Sequence, residues 1–308
     1  MSDAPASAGS SAAPPARWRD VVTLTKPGIT ALIVLVAVAG YFLAMPARID
    51  PVRLGLLALT GGLASAGSAM LNHYLDRDVD GGMRRTRRRP LPDARIERSG
   101  GVLTAGVGLV LIGVGTAAVT LNVLTGVSIA LGALTYVVVY TVLLKRRTSW
   151  NIVIGGFAGS APALAGGAAA VGTWNGPVLA FALLVFLWTP PHFWSLALLL
   201  REDYRRVGLP MLPRMEDPAY SGRVVVISAA LLLPASVLLV MVAPFAWPAA
   251  LLVLVAAAAY LILALPLWVR TDRPVALRAF IGSGPYLLIV IVGLIANFWL
   301  HALGFGPL

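Results

Sequence analysis

The chain has 308 residues, 58% of them hydrophobic and 12% charged, with a formal net charge of +11 and no cysteine. Lack of cysteine excludes disulfides, thiolate metal sites and a cysteine nucleophile. Uncharged windows such as Gly28 to Pro46 and Leu54 to Leu75 exclude a soluble globular protein, and they lack the period-two alternation of β-barrel strands.

In chain order, residues 1–16, MSDAPASAGSSAAPPA, are rich in Ala, Ser and Pro and read as a disordered tail. No charged stretch followed by a short apolar segment and a cleavage site precedes the first span, so no cleaved signal peptide is expected. Crossing a bilayer core takes about 20 apolar residues. Nine such spans follow, at 28–46, 52–75, 100–119, 123–143, 152–171, 177–200, 222–243, 248–269 and 278–300. Connections near 120–122, 172–176 and 244–247 carry no charge and read as tight hairpins. A cytoplasmic N-terminus puts 22 of the 24 basic residues on the cytoplasmic side and leaves Arg48 and Arg53 outside. The chain is therefore expected to be an all-α, polytopic bundle of nine transmembrane helices in the cell (inner) membrane, with its C-terminus outside. Topology and anionic lipid account for the basic excess, so the lipid bilayer is the expected partner and nucleic acid is not.

Two cytoplasmic loops, 76–99 and 201–221, begin alike, with acids, then an Arg pair and a proline phrase: RRRPLP in one, YRRVGLPMLP in the other. They lie four spans apart. A weak parallel repeat, about 28–143 and 152–269, plus a ninth helix, is expected within a single domain at 17–303. Such repeats commonly hold the site at their interface.

The first loop contains the densest chemistry, LNHYLDRDVDGGMRRTRRRPLP at 71–92. Asn72, Asp76 and Asp80 are spaced by four, so on a helix they share a face. The two carboxylates are then about 6 Å apart along the axis, a gap that one or two divalent cations bridge. Two carboxylates and an amide are oxygen-only ligands, which suit Mg²⁺ sharing its shell with substrate phosphates. Asp78 points to the opposite face and His73 lies off it, so neither is chosen. The acids could simply balance the arginines. Against that, uncompensated charge at a membrane boundary costs several kcal/mol, and like charges at i, i+4 repel without a cation. Arg84, Arg85, Arg87, Arg88 and Arg89 add anion-binding capacity, so Mg²⁺ and pyrophosphate are read together. Arg84 and Arg85, nearest the motif, are the expected diphosphate contacts.

N-x-x-x-D-x-x-x-D at a helix end in a nine-span chain resembles the intramembrane aromatic prenyltransferase superfamily. TKPGIT at 25–30, YTVLLKRRTSWNIVIGGFAGSAPALAG from Tyr140 and PHFWSLALLLREDYRRVGLPMLP from Pro191 are similar to phrases of its protoheme IX farnesyltransferase (haem O synthase) family. The resemblance runs from about 18 to 300. It implies farnesyl transfer from farnesyl diphosphate to the 2-vinyl group of haem B, with water completing the substituent of haem O. Farnesyl diphosphate and haem B would be substrates and Mg²⁺ the cofactor, and a haem A synthase is the one protein partner to consider.

Catalysis then means stabilising the leaving diphosphate beside a cavity inside the bundle that excludes water. Asn72, Asp76, Asp80, Lys145 and His192 are the expected catalytic residues. Arg84, Arg85, Tyr140, Arg146, Asn151 and Arg201 are the expected substrate contacts. Asp203, at the end of the second phrase, would join Asn72, Asp76 and Asp80 as a metal ligand, although Leu199 stands in the middle of that phrase and a full second aspartate motif is absent. Lys145 could serve topology alone. Asn151 could contact diphosphate or cap its helix. His192 could ligate iron, orient a propionate, accept a proton or pack. Glu202 reads as solvated. Trp150, Trp188 and Trp194 lie near span ends or Pro breaks, where aromatics anchor at the membrane interface. The rival readings are a prenyltransferase for a quinone precursor or a chlorin, a secondary transporter and a structural scaffold. Acids beside arginines at one face, away from the midplane, disfavour the transporter, and a scaffold leaves their spacing unexplained.

Overall fold

Most of the long helices start where local chemistry stops the preceding turn. Asp50, Asn122, Asn175, Asp217 and Asp272 each accept a backbone N–H of the first helical turn through the side chain. Pro27, Pro51, Pro177, Pro218, Pro248 and Pro274 sit in the first turn, where a missing N–H costs nothing. Asn151 does not cap: it opens its helix, but its side chain makes no cap bond.

The computed structural model describes residues 18–45, 48–96, 98–212 and 217–306. The expected tail at 1–16 lies outside them, as do Arg17 and Arg214. In chain order the helices are α1 (Trp18–Leu24), α2 (Pro27–Leu43), α3 (Pro51–Leu75), α4 (Arg77–Gly82), α5 (Ser99–Thr120), α6 (Val123–Leu144), α7 (Asn151–Val171), α8 (Gly176–Leu199), α9 (Arg201–Arg206), α10 (Pro218–Val242), α11 (Trp247–Trp268) and α12 (Arg273–Ala302). Eight are long and apolar enough to cross a membrane, and α1 with α2, bent by 45°, makes the ninth. The fold is the expected all-helical, multi-pass bundle.

Helix α2 packs on α3, α7 and α12. A Cβ on Gly40 would overlap the carbonyl of Ala163, and one on Gly166 would overlap that of Ala37. These two glycines let the backbones of α2 and α7 touch, the small-residue packing that lipid-embedded helices rely on. Beside this contact, α2, α3, α6, α7 and α8 line a cavity within the bundle.

The tryptophans divide. Trp150 is 60% exposed, as an anchor should be, but Trp188 and Trp194 are 7% and 5% exposed. Trp188 donates its indole N–H to Ser283 O at 2.8 Å, so both α8 tryptophans serve the interior and not the interface.

Candidate active site

The cavity has a volume of about 720 Å³. Its body is apolar, walled by residues such as Ile33, Ala37, Leu57, Ile129 and Ala165. Its mouth is ringed by charge: Lys26, Asp80, Arg85, Arg89 and Lys145. Among the described residues α5, α10 and α11 contribute nothing to the lining.

The aspartate motif falls at this mouth, but not on one unbroken helix. Asp76 is the junction between α3 and α4, with φ −95° and ψ 1°. Both carboxylates are buried, at 1% and 3% exposure. Lys145 Nζ meets Asp76 Oδ2 at 2.5 Å, and Arg89 meets Asp80 Oδ2 at 2.6 Å. Asn72 links them: its amide N–H₂ donates to Asp76 Oδ2 at 2.7 Å and to Thr141 Oγ1 at 3.1 Å. Its Oδ1 accepts from Lys26 Nζ at 2.6 Å. Lys26 also donates to the Tyr136 hydroxyl at 2.9 Å. It stands in the bend between α1 and α2 with a left-handed φ of 47°, a conformation that costs a non-glycine residue on the order of 1 kcal/mol and is commonest at functional sites. Each oxygen-bearing side chain of the motif is thus matched to its own cation.

Helix α6 supplies the aromatic wall. From Thr135 to Leu144 it widens to π geometry, a distortion often found at functional sites. Tyr136 and Tyr140 stack there with centroids 6.1 Å apart and planes 16° from parallel. Lys145 N–H closes the wide turn onto Tyr140 O at 2.8 Å, which sets the lysine at the mouth.

At the opposite wall His192 stacks on Trp188, centroids 4.5 Å apart, and lies 4.9 Å from Phe280. Its Nδ1 is 2.6 Å from Ser283 Oγ. Ser283 gives its own proton to Phe280 O, so its oxygen accepts from His192 Nδ1–H. Nε2 therefore carries the lone pair.

The remaining expected residues lie elsewhere. Arg84 is exposed, and its backbone N–H donates to Asp203 at 3.3 Å. Asp203 is buried and holds that loop but is not part of the cavity wall. Arg146 grips Asp78 with two bonds of 2.7 Å, outside the cavity. That guanidinium holds the Asp78 carboxyl below its usual range. Asn151 donates to Thr148 O at 2.8 Å, behind the cavity wall. Arg201 and Glu202 are exposed. The structure brings together Asn72, Asp76, Asp80, Arg85, Tyr140, Lys145 and His192, and adds Lys26, His73, Arg89, Tyr136 and Tyr204. Burial raises the Tyr204 hydroxyl pKa.

Residues 33–286 match the UbiA prenyltransferase family. The chain is 41% identical over 232 residues to a protoheme IX farnesyltransferase of Erythrobacter litoralis, covering 75% of this chain and 74% of that protein. It is 40% identical over 284 residues to one from Sulfurisphaera tokodaii, covering 90% and 92%. The chain belongs to the UbiA prenyltransferase family. Its fold matches that of a UbiA homolog from Archaeoglobus fulgidus solved with GPP and Mg²⁺, with a TM-score of 0.70 and 15% identity over 90% of this chain and 99% of that one.

A metal suits this prenyltransferase's mouth in donor chemistry. Among the described residues no three His, Asp or Glu side chains converge on one point, so the protein alone offers few ligands. Asp76 Oδ1, however, is buried without a hydrogen-bond partner, and an orphaned carboxylate oxygen is a cost unless a cation meets it. Few protein oxygens, with the shell completed by phosphate and water, is the pattern of Mg²⁺.

Proposed function

We propose that this prenyltransferase moves a farnesyl group from farnesyl diphosphate to the 2-vinyl group of haem B, releasing diphosphate and giving haem O. The relatives' names support the donor and acceptor. The observation that carries the reading is the set of buried, cation-matched oxygens of Asn72, Asp76 and Asp80 at the mouth of a long apolar cavity.

Diphosphate binds at the mouth and the isoprenoid chain lies in the apolar body. Asn72, Asp76 and Asp80 would hold Mg²⁺, which lowers the energy of the departing diphosphate. Lys26, Arg85, Arg89 and Lys145 offer N–H donors to the same oxygens. As the allylic C–O bond breaks, its electron pair leaves with the diphosphate. Each preorganised donor at such a site is worth about 3 kcal/mol, or about 10²-fold in rate. The tyrosine faces of α6 lie beside the forming allyl cation and stabilise it by about 1 kcal/mol or more. The apolar wall keeps bulk water from the cation until the vinyl carbon reaches it. His192, with its Nε2 lone pair, faces the acceptor as a ligand for the porphyrin iron. The mouth faces the cytoplasm, where the positive-inside rule puts the arginines.

Purified protein with haem B, farnesyl diphosphate and Mg²⁺ tests this by mass spectrometry of the porphyrin. Wild type yields the farnesylated product. Asp76→Asn lowers turnover by about 10²-fold or more, and chelation of the metal abolishes it. Prenylation of a quinone precursor with haem B untouched rejects the acceptor, and an Asp76→Asn enzyme with wild-type turnover, or a wild type indifferent to chelator, rejects the site.

A further inference from the structure

His73 is 2% exposed and lines the cavity, yet neither ring nitrogen has a hydrogen-bond partner. Among the described residues, four other side chains carry buried, unpartnered polar atoms: Asp76, Asn151, Trp194 and Tyr260. None of those four lines the cavity. Both ring nitrogens are therefore open to a small polar ligand inside the cavity. The other small polar groups on the wall are already engaged. Ser68 donates to Ala64 O, Thr189 to Val185 O, and Ser65 pairs with Thr30.

Its depth matters. His73 precedes Asp76 by three residues on α3, about 4.5 Å along the axis. Side chains on a helix also lean toward its N-terminus. The imidazole therefore lies one step inward of the diphosphate site, at the level of the carbon that diphosphate leaves.

Any prenyl cation that adds to a vinyl group leaves a second cation. The vinyl π pair bonds the terminal carbon to the isoprenoid C1, and the inner vinyl carbon becomes positive, next to the macrocycle. That carbon has two fates. It loses a neighbouring proton to give an alkene, or it takes a water oxygen lone pair to give an alcohol. In a cavity that excludes bulk water the second fate needs a held water. We propose that His73 is the positioning residue that holds this water, one ring nitrogen accepting a hydrogen bond from a water O–H and leaving the oxygen lone pair toward the cation. The C–O bond forms from the water lone pair, and the water's extra proton passes to the diphosphate just released, so His73 keeps its own protonation throughout. The proposal rests on the vinyl acceptor argued above.

The test is the product ratio, hydrated against dehydrated, from wild type and His73→Leu run in oxygen-18 water. Wild type gives the hydrated product carrying the label. His73→Leu shifts the ratio toward the product one water lighter by about tenfold or more. His73→Gln, whose amide both donates and accepts, restores it. Should the leucine variant not purify as monodisperse protein, His73→Phe carries the same expectation. A ratio unchanged while total turnover falls makes His73 structural and overturns the proposal. An unlabelled hydroxyl in the wild-type product overturns it too. If wild type prenylates no vinyl porphyrin at all, the acceptor reading fails instead.

Discussion

After α3 the chain turns into the six-residue helix Arg77–Gly82, and after α8 into the six-residue helix Arg201–Arg206. Both begin beside buried aspartates at the basic end of the bundle. In the first, Asp76 and Asp80 face Lys145 and Arg89, cations that line the cavity mouth, at 2.5 and 2.6 Å; Asp80 lines the mouth itself and Asp76 sits just behind it. In the second, Asp203 faces a backbone N–H at 3.3 Å, off the cavity wall. The difference teaches what marks a ligand site here. A carboxylate buried against a side-chain cation can exchange that cation for another, whereas one buried against backbone holds a loop in place.

The widest separation should come from matched substitutions in the two loops. Asp80→Asn removes a charge that Arg89 faces, and turnover should fall by about 10²-fold or more. Breaking that buried pair should also destabilise the protein, by about 3–5 kcal/mol. Asp203→Asn should keep turnover within about threefold and cost about 1 kcal/mol of stability, the worth of one hydrogen bond. Turnover and thermal unfolding measured on both variants decide the matter. Equal losses of activity would return Asp203 to the metal site that its motif position first indicated.

This asymmetry also marks the limit of what the sequence made legible. The spans, the capping residues and the i, i+4 spacing of Asn72, Asp76 and Asp80 are local patterns, and they predict both the helical bundle and the residues at its mouth. His73 and Lys26 are not legible from spacing, for physical reasons. His73 stands one residue off the chosen face, but α3 ends at Asp76 and a cavity several helices wide takes in more than one face. Lys26 reads in the sequence as a topology charge. Its position before Pro27, where a bend turns it inward onto Asn72, was the available signal. Which arginine of a run faces inward depends on how the loop after α4 folds back, and helix periodicity does not extend that far. Asp203 and Asn151 show the reverse case. They sit in the right phrases, but their partners are carbonyls and N–H groups of loops that only tertiary packing brings near.

A smaller effect separates the arginines of the first loop. Arg85 and Arg89 line the mouth, while Arg84, Arg87 and Arg88 are not part of the lining. Arg89→Gln should weaken inorganic pyrophosphate binding by about tenfold, the worth of a charge-assisted hydrogen bond. Arg84→Gln should leave it within about twofold. Calorimetric titration of both proteins with pyrophosphate and Mg²⁺ checks this. A larger loss for Arg84 would mean that the loop closes differently on the ligand.

The smallest effect belongs to Asp78 and Arg146, the charged pair that stays outside the cavity. Their side chains are 61% and 42% exposed, so solvent screens the pair and its worth is about 1 kcal/mol or less. The sign with pH follows from the lowered pKa of Asp78. A carboxyl that ionises more readily in the folded state contributes stability above its unfolded pKa. That contribution fades as pH falls through the folded value. Asp78→Asn should therefore be slightly less stable than wild type at pH 7, and the two unfolding curves should converge in acid. Arg146 also donates to Leu75 O at 2.9 Å, so Arg146→Ala should loosen the end of α3 a little more than Asp78→Asn does. Neither change touches the cavity, and turnover at neutral pH should stay within about twofold. Should Arg146→Ala instead lose as much turnover as Asp80→Asn, the guanidinium must leave Asp78 for the diphosphate during the reaction. The line drawn between cations at the mouth and cations outside it would then have to move.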